Sequence, residues 1–93
     1  MKLSEPEFLS RSGLGQETLM AWIEAEWLIP DGSSAEMRFS DIDIARARLI
    51  RDLQGDFGVN DEGVSVILNL LDQLHGMRRI LMQLRHAAHI APD

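Results

Sequence analysis

The fold is decided by the stretch at residues 18–30, which reads TLMAWIEAEWLIP. Leu19 and Trp22 recur at helical spacing, which predicts a helix with one buried face. The next position on that face is Glu26, and Pro30 with the Asp-Gly pair after it cannot continue a helix. We therefore predict a short helix that ends near Glu26 and is followed by a tight turn.

The charge of this stretch has the wrong sign for a helix that contacts nucleic acid. Glu24 and Glu26 lie within it, Glu17 precedes it, and no Lys or Arg occurs between Arg11 and Arg38. The chain of 93 residues has a formal net charge of −6, and its first 72 residues, with 14 acidic and six basic side chains, carry −8. DNA-binding surfaces neutralise phosphates with Lys and Arg. We therefore expect these residues to repel a duplex.

The composition is that of one small domain with a protruding element. Hydrophobic residues make up 45% and charged residues 26% of the chain, which is ordinary for a globular protein. The absence of cysteine excludes disulfides and thiolate metal sites and fits a reducing compartment. The N-terminus does not read as a signal peptide, and no run of about 18 apolar residues occurs. We therefore predict a cytoplasmic protein.

Serine residues mark the starts of two further helices. Ser4 can cap a first helix that Gly13 ends, and Ser40, with acidic residues in the turn after it, can cap a third. Residues 31–39, before that third helix, allow a small wing. The predicted buried positions of this part are Ile42, Ala45, Leu49, Ile50 and Leu53, with Phe57 folded back against the core.

A long helix is predicted to begin at Asn60 or Asp61, and no residue before Pro92 stops it. Its apolar residues recur at alternating spacings of three and four, which is a heptad seam. The seam consists of Ile67, Leu70, Leu74, Met77, Leu81 and Leu84. Because this coiled-coil seam outreaches a compact domain, we predict a homodimer, with parallel and antiparallel pairing both open. The predicted architecture is all-α, with a globular part at residues 1–58 and a dimerisation helix at residues 59–93.

In order and spacing, the chain resembles the MerR family. The family pattern T-L-R-Y-Y-E-x-x-G-L-L-x-P is matched at Thr18, Leu19, Leu28 and Pro30. The family's R-Y-S-x-x-D junction after the wing resembles the segment formed by Arg38, Phe39, Ser40, Asp41 and Asp43. The resemblance covers nearly the whole chain. It implies a winged helix-turn-helix domain followed by a long dimerisation helix.

Three of the departures from the MerR pattern bear most on function. Met20 replaces the family's arginine that faces DNA, Ala21 replaces the aromatic residue after it, and Glu26 replaces the glycine that ends the helix. A MerR-like scaffold with an acidic front and a bare C-terminal helix resembles CbpM, the chaperone-modulator family. That resemblance implies binding to the J-domain of the DnaJ-like co-chaperone CbpA, and its inhibition. J-domains present a basic helix to the DnaK-type chaperone, and an acidic surface complements such a helix.

The candidate partner-binding residues are Glu17, Glu24, Trp27, Asp31 and Glu36. Their carboxylates could equally form a solvated face that has no partner. Tryptophan is favoured at interface hot spots, but Trp27 could also be a core residue. We predict that Trp22, the other tryptophan, lies in the core because it aligns with an aromatic position of the MerR scaffold.

Two other functions stay open on the sequence alone. A DNA-binding transcriptional regulator of the MerR type would need its arginines to form one patch that contacts phosphates. The candidates for that patch are Arg11, Arg38, Arg46, Arg48 and Arg51. A protein that neutralises some other basic partner would use the same acidic face.

No catalytic, cofactor or metal site is predicted. His86 and His89 are three residues apart and could share a helix face, but no clear Cys, Asp or Glu completes a metal shell. The serines lack the context of a nucleophile, and no glycine-rich phosphate loop follows a strand. We therefore interpret the histidines as ordinary exposed side chains and predict no enzymatic activity.

Overall fold

The computed structural model of the chain describes residues 2–32 and 35–90, with side chains through residue 88. It contains the helices α1 (Glu5–Ser12), α2 (Gln16–Glu24), α3 (Asp41–Gly55) and α4 (Asp61–Ile90). Within the described residues the only extended pairing consists of two isolated β-bridges. The predicted all-α class, with a small wing and a long C-terminal helix, is confirmed.

Capping boxes start α1 and α3, as the serines predict. The hydroxyl of Ser4 accepts a hydrogen bond from the backbone N–H of Glu7, whose carboxylate accepts one from the backbone N–H of Ser4. Ser40 and Asp43 form the same reciprocal pair at the start of α3. The hydrogen bonds from the Ser4 backbone and side chain lower the pKa of Glu7 below its usual value. Both helices therefore begin at fixed residues.

The end of α2 depends on an unusual backbone conformation. Glu26 has φ of 63°, and it is the one non-glycine residue in the described part of the chain with a positive φ. This is the position of the helix-ending glycine in the MerR pattern. The left-handed conformation costs a residue with a Cβ about 1 kcal/mol. The predicted end of the helix near Glu26 is thus confirmed. The backbone is locally strained there because glutamate stands where the MerR pattern has glycine.

The wing is tied to the N-terminal residues. Asp31 and Arg38 pair as an antiparallel bridge, and Leu3 pairs in the same way with Phe39. The ring of Phe39 stacks on the ring of Phe8 in α1 at a centroid distance of 4.2 Å. This contact fixes the wing against the first helix.

One hydrophobic core holds the wing and all four helices together. The core consists of Leu3, Phe8, Leu19, Trp22, Trp27, Leu28, Phe39, Ile44, Ala47, Ile50, Val64 and Leu68. Val64 and Leu68 belong to α4, so the core continues past the boundary predicted at residue 58. The rest of α4 projects away, and the molecule measures 56 × 31 × 19 Å. The division into two domains stays a prediction.

The predicted buried side of α3 is partly wrong. Ile42 is 76% exposed and Ala45 is also exposed, while Ile44 and Ala47 are buried. Ile42 and Ile44 are both apolar but lie about 200° apart around the helix, so either could begin a buried stripe. Ile44 is buried because it shares its side with Ala47 and Ile50, which pack in the core.

The prediction for Phe57 is also wrong, because its side chain is 74% exposed. The N–H of Phe57 bonds to the carbonyl of Asp52, and Gly58 then takes a positive φ of 64°. The chain turns at that glycine, and Val59 packs against the core instead.

Candidate partner-binding surface

The α2 face consists of the exposed residues Gln16, Glu17, Met20, Ala21 and Glu24. Leu19 and Trp22 are buried on the opposite side of the helix and fix its orientation. Glu17 and Glu24 lie two helical turns apart, with Met20 between them, so they share one side. This face offers two carboxylates around an apolar side chain, and it carries no Lys or Arg. It can attract a cationic surface but cannot neutralise phosphates.

The two predicted wing acids, Asp31 and Glu36, lie in a different environment. Asp31 forms an ion pair with Lys2, and its backbone pairs with that of Arg38. Glu36 lines a shallow groove that also contains Lys2 and Arg38. The wing therefore carries both signs of charge. The structure does not join these residues to Glu17 and Glu24 in one acidic patch.

Two of the arginines proposed for a DNA-binding patch make contacts within the chain. The guanidinium of Arg46 donates to both carboxylate oxygens of Asp72, at 2.7 and 3.2 Å, and to the carbonyl of Trp27. Arg51 donates to the carbonyl of Ser12 at 2.8 Å. The hydrogen bond from Arg46 is the main cause that lowers the pKa of Asp72 below its usual value. Arg46 therefore ties α3 to α4, and Arg51 ties α3 to the end of α1.

Trp27 lies in the core rather than on the surface, which corrects the sequence-based proposal for this residue. Its side chain is 5% exposed, and its indole Nε1 donates to the hydroxyl of Ser65 at 2.9 Å. The turn at Glu26 brings the Trp27 N–H to the carbonyl of Trp22, with the two rings 6.0 Å apart. Because the turn folds Trp27 back beneath α2, a partner cannot use it as an exposed anchor. Trp22 is buried as predicted.

A groove of about 300 Å³ lies between α2, the end of α3 and the start of α4. We call it the α2–α4 groove; its lining residues are Ala21, Trp22, Ala25, Trp27, Gln54, Asp61, Glu62 and Ser65. The sequence places Asp61 only at the start of a helix and does not reveal that Asp61 and Glu62 line this groove. The available signal was Ala21, which replaces an aromatic residue of the MerR pattern and leaves space beside α2.

The heptad seam of α4 is exposed in the single chain. Its members from Leu70 to Leu84 are between 45% and 61% exposed, while Ile67 is half-buried. Val64 and Leu68, which pack in the core, lie on the other side of the helix. The seam is therefore available to another surface along most of its length.

The described part of the chain offers no metal site and no membrane span. In residues 2–32 and 35–88, no three His, Cys, Asp or Glu side chains come together as metal ligands do. The side chain of His89, one of the two histidines considered above, lies outside the described residues. None of the described helices combines the length and hydropathy that crossing a bilayer requires.

Comparison with known proteins identifies the family. A family model described as MerR HTH family regulatory protein matches residues 3–86, which include α1, α2, the wing, α3 and most of α4. No curated protein and no solved structure matches the chain. The match concerns the MerR family as a whole and does not distinguish a chaperone-modulator branch within it.

Proposed function

The chain belongs to the MerR HTH family of regulatory proteins, and we propose that within this family it acts as a chaperone modulator in the cytoplasm. In this proposal it binds the basic J-domain of a DnaJ-like co-chaperone of the CbpA type and covers the surface on which the chaperone docks. Inhibition is then competitive and needs no catalytic step. The observation that carries the proposal is the α2 face, where Glu17 and Glu24 flank Met20 and no Lys or Arg is present.

The electrostatic attraction between the α2 face and a cationic partner depends on the carboxylates that remain exposed. Exposed ion pairs contribute only about 0.2–1 kcal/mol each, so two carboxylates alone do not give tight binding. They do speed the encounter with a cationic surface and orient it. Met20 supplies apolar area between them, which suits a protein partner better than a phosphate backbone.

The rival function, DNA-binding regulation, is weakened by the contacts of the arginines. Of the candidate patch, Arg46 is engaged with Asp72 and Trp27, and Arg51 with Ser12. A DNA-binding surface needs several basic side chains at once, because each phosphate contact contributes to counterion release. Gln16 is the one residue of the α2 face whose side chain can donate a hydrogen bond to a nucleobase.

A homodimer is part of the proposal. The exposed seam from Leu70 to Leu84 is a row of large apolar side chains on a helix of 30 residues, and contiguous exposed apolar surface marks interaction sites. The same helix of a second chain has the complementary heptad spacing. A dimer built in this way presents two copies of the α2 face.

The test is the affinity of the full chain for a purified J-domain, measured by calorimetry at low and high salt. The decisive variant is Glu17→Lys with Glu24→Lys, for which we expect roughly tenfold weaker binding or more. The matched control is Asp52→Lys with Asp56→Lys, which makes the same change of net charge at exposed residues near the end of α3. Their side chains lie away from α2, on the other side of α3 from Gln54.

The outcomes separate the explanations. Salt-sensitive binding that the α2 variant weakens and the control leaves near the original affinity supports the proposal. An equal loss in both variants would mean that only overall charge matters, and no binding at low salt would reject the J-domain as partner.

A further inference from the structure

We propose that the α2–α4 groove receives the apolar ridge of a cationic amphipathic helix, so that the partner bridges α2 and α4. This inference rests on the proposed function and extends the contact surface beyond the α2 face. It places an apolar contact in the groove and adds Asp61 and Glu62 to the partner-binding residues.

The shape of the groove follows from two small side chains. Ala21 and Ala25 are one helical turn apart on the same side of α2, and both line the groove. Trp22 and Trp27 form its floor, with ring centroids 6.0 Å apart. Because alanine ends at Cβ, α2 leaves space beside α4 that a larger side chain at position 21 would fill. Trp22 and Trp27 are only 7% and 5% exposed, so the aromatic floor presents a small apolar area to an occupant of the groove.

The walls of the groove are held in place by hydrogen bonds. The Trp27 indole donates to Ser65 of α4, and the side-chain amide of Gln54 donates to the Asp61 carboxylate at 2.9 Å. Both contacts join elements that meet only in the fold. A groove that is already formed costs a partner little ordering free energy on binding.

Carboxylates line the α4 edge of the groove, and two more lie beside Ala21 on the surface of α2. On the α2 edge, Glu17 and Glu24 are the i−4 and i+3 neighbours of Ala21, so they border it on the helix surface. On the α4 edge, Asp61 and Glu62 line the groove directly. The N-terminus of α4 contributes roughly half a positive charge, which two carboxylates outweigh. The groove is therefore apolar along its floor and anionic on both sides.

This arrangement selects one kind of occupant. A helix that lies in a groove contributes apolar residues at positions i, i+3, i+4 and i+7, and basic residues beside that ridge would meet the carboxylates on each edge. Duplex DNA is anionic, so these carboxylates would repel it. A neutral apolar helix would shield these carboxylates from water without offering them a counter-charge.

The groove reports its own occupancy, because Trp22 and Trp27 are the chain's two tryptophans. The experiment titrates the full chain with a tryptophan-free J-domain and with a tryptophan-free Leu/Lys amphipathic helical peptide, following tryptophan emission. A peptide of the same composition in scrambled order is the control for charge alone. We expect both helical ligands to shift the emission and the scrambled peptide to leave it unchanged.

Two variants test the groove. Ala21→Tyr fills it with the type of residue that the MerR pattern carries at this position, and Glu62→Lys reverses one edge. We expect each to weaken binding roughly tenfold. Ala45→Tyr, at an exposed position of α3, and Asp56→Lys are the matched controls, and they should bind as the original chain does. Circular dichroism checks that every variant folds.

The outcomes distinguish this inference from the proposed function. If the J-domain binds but Ala21→Tyr and Glu62→Lys keep the original affinity, the groove inference is wrong and the proposed function stands. If only the amphipathic peptide binds, and Ala21→Tyr abolishes that binding, the groove binds cationic helices but the J-domain is not the partner. If neither ligand shifts the emission, or duplex DNA does, the inference is overturned.

Discussion

The indole Nε1 of Trp27 donates a hydrogen bond to the hydroxyl of Ser65 across 2.9 Å. This bond joins the turn after α2 to the second turn of α4 and closes the floor of the α2–α4 groove. It also explains why Trp27 is core rather than surface: a buried indole needs a partner for its N–H, and Ser65 supplies one.

Ser65→Ala should lower the stability of the protein. It leaves the Trp27 N–H without its acceptor, which costs about 1 kcal/mol, and for a domain of this size that lowers Tm by about 4–8 °C. Thermal unfolding followed by circular dichroism measures the change. Ser10→Ala, at an exposed position of α1, is the control, because it makes the same helix substitution without losing this bond. Equal Tm values for the two variants would contradict the role given to Ser65.

The Arg46–Asp72 contact should give the protein a pH-dependent stability. The hydrogen bond from Arg46 lowers the pKa of Asp72 in the folded state, so the contact stabilises the protein above the ordinary Asp value near 3.8. That stability is lost as the pH falls through the folded-state pKa. Because Asp72 is largely exposed, we expect no more than about 1 kcal/mol.

Denaturant unfolding of the original chain and of Asp72→Asn, from neutral pH downward, measures this contribution. The two free energies of unfolding should differ at neutral pH and converge as the pH falls below about 3.8 and through the folded-state pKa. A difference that persists unchanged into acid would mean that the Asp72 carboxylate charge is not what stabilises the contact. Asp52→Asn, at an exposed carboxylate on α3, serves as control.

Glu26→Gly should stabilise the protein. The φ of 63° at Glu26 is strained for a side chain with a Cβ but not for glycine, so we expect a gain of about 0.5–1 kcal/mol in the free energy of unfolding. Glu24→Gly, the same substitution inside α2, should instead cost about 1 kcal/mol. Denaturant titration of both variants checks the opposite signs. A loss at both positions would show that Glu26 makes a contact that outweighs its strain.

Local chemistry made the helix boundaries predictable from the sequence. Ser4 and Ser40 each have an acidic residue three positions later, and this spacing alone specifies a capping box. Glu26 could be recognised as the end of α2 because Pro30 prevents continuation. These features depend on neighbours within a few residues, which is why a single sequence reveals them.

Side-chain burial depended on packing between distant segments and was predicted less well. The sequence of α3 offers apolar residues on both sides, and only contact with the rest of the core selects Ile44 over Ile42. Trp27 packs in the core, and Ser65, 38 positions later, accepts the hydrogen bond of its indole. The α2–α4 groove could not be predicted for the same reason, since Asp61 meets α2 only in the folded chain.

The protein should fail to retard random duplex DNA in a gel-shift assay even at low salt. The exposed α2 face carries two carboxylates and no Lys or Arg, and Arg46 and Arg51 already donate hydrogen bonds to acceptors within the chain. A DNA-binding protein shows non-specific affinity under these conditions. Salt-sensitive retardation that Arg38→Ala or Arg48→Ala weakens would restore the transcriptional regulator as the better explanation.

The seam of α4 should hold two chains together. Leu74→Glu with Leu81→Glu places charges seven residues apart on the exposed seam, and we expect the mass in sedimentation equilibrium to fall from two chains to one. His75→Glu with Met82→Glu is the matched control, because these exposed residues have the same spacing but lie about 100° around the helix. It should remain a dimer. A monomeric original chain would show that the seam needs another partner, and a Leu74→Glu, Leu81→Glu variant that remains a dimer would mean that the seam is not the interface.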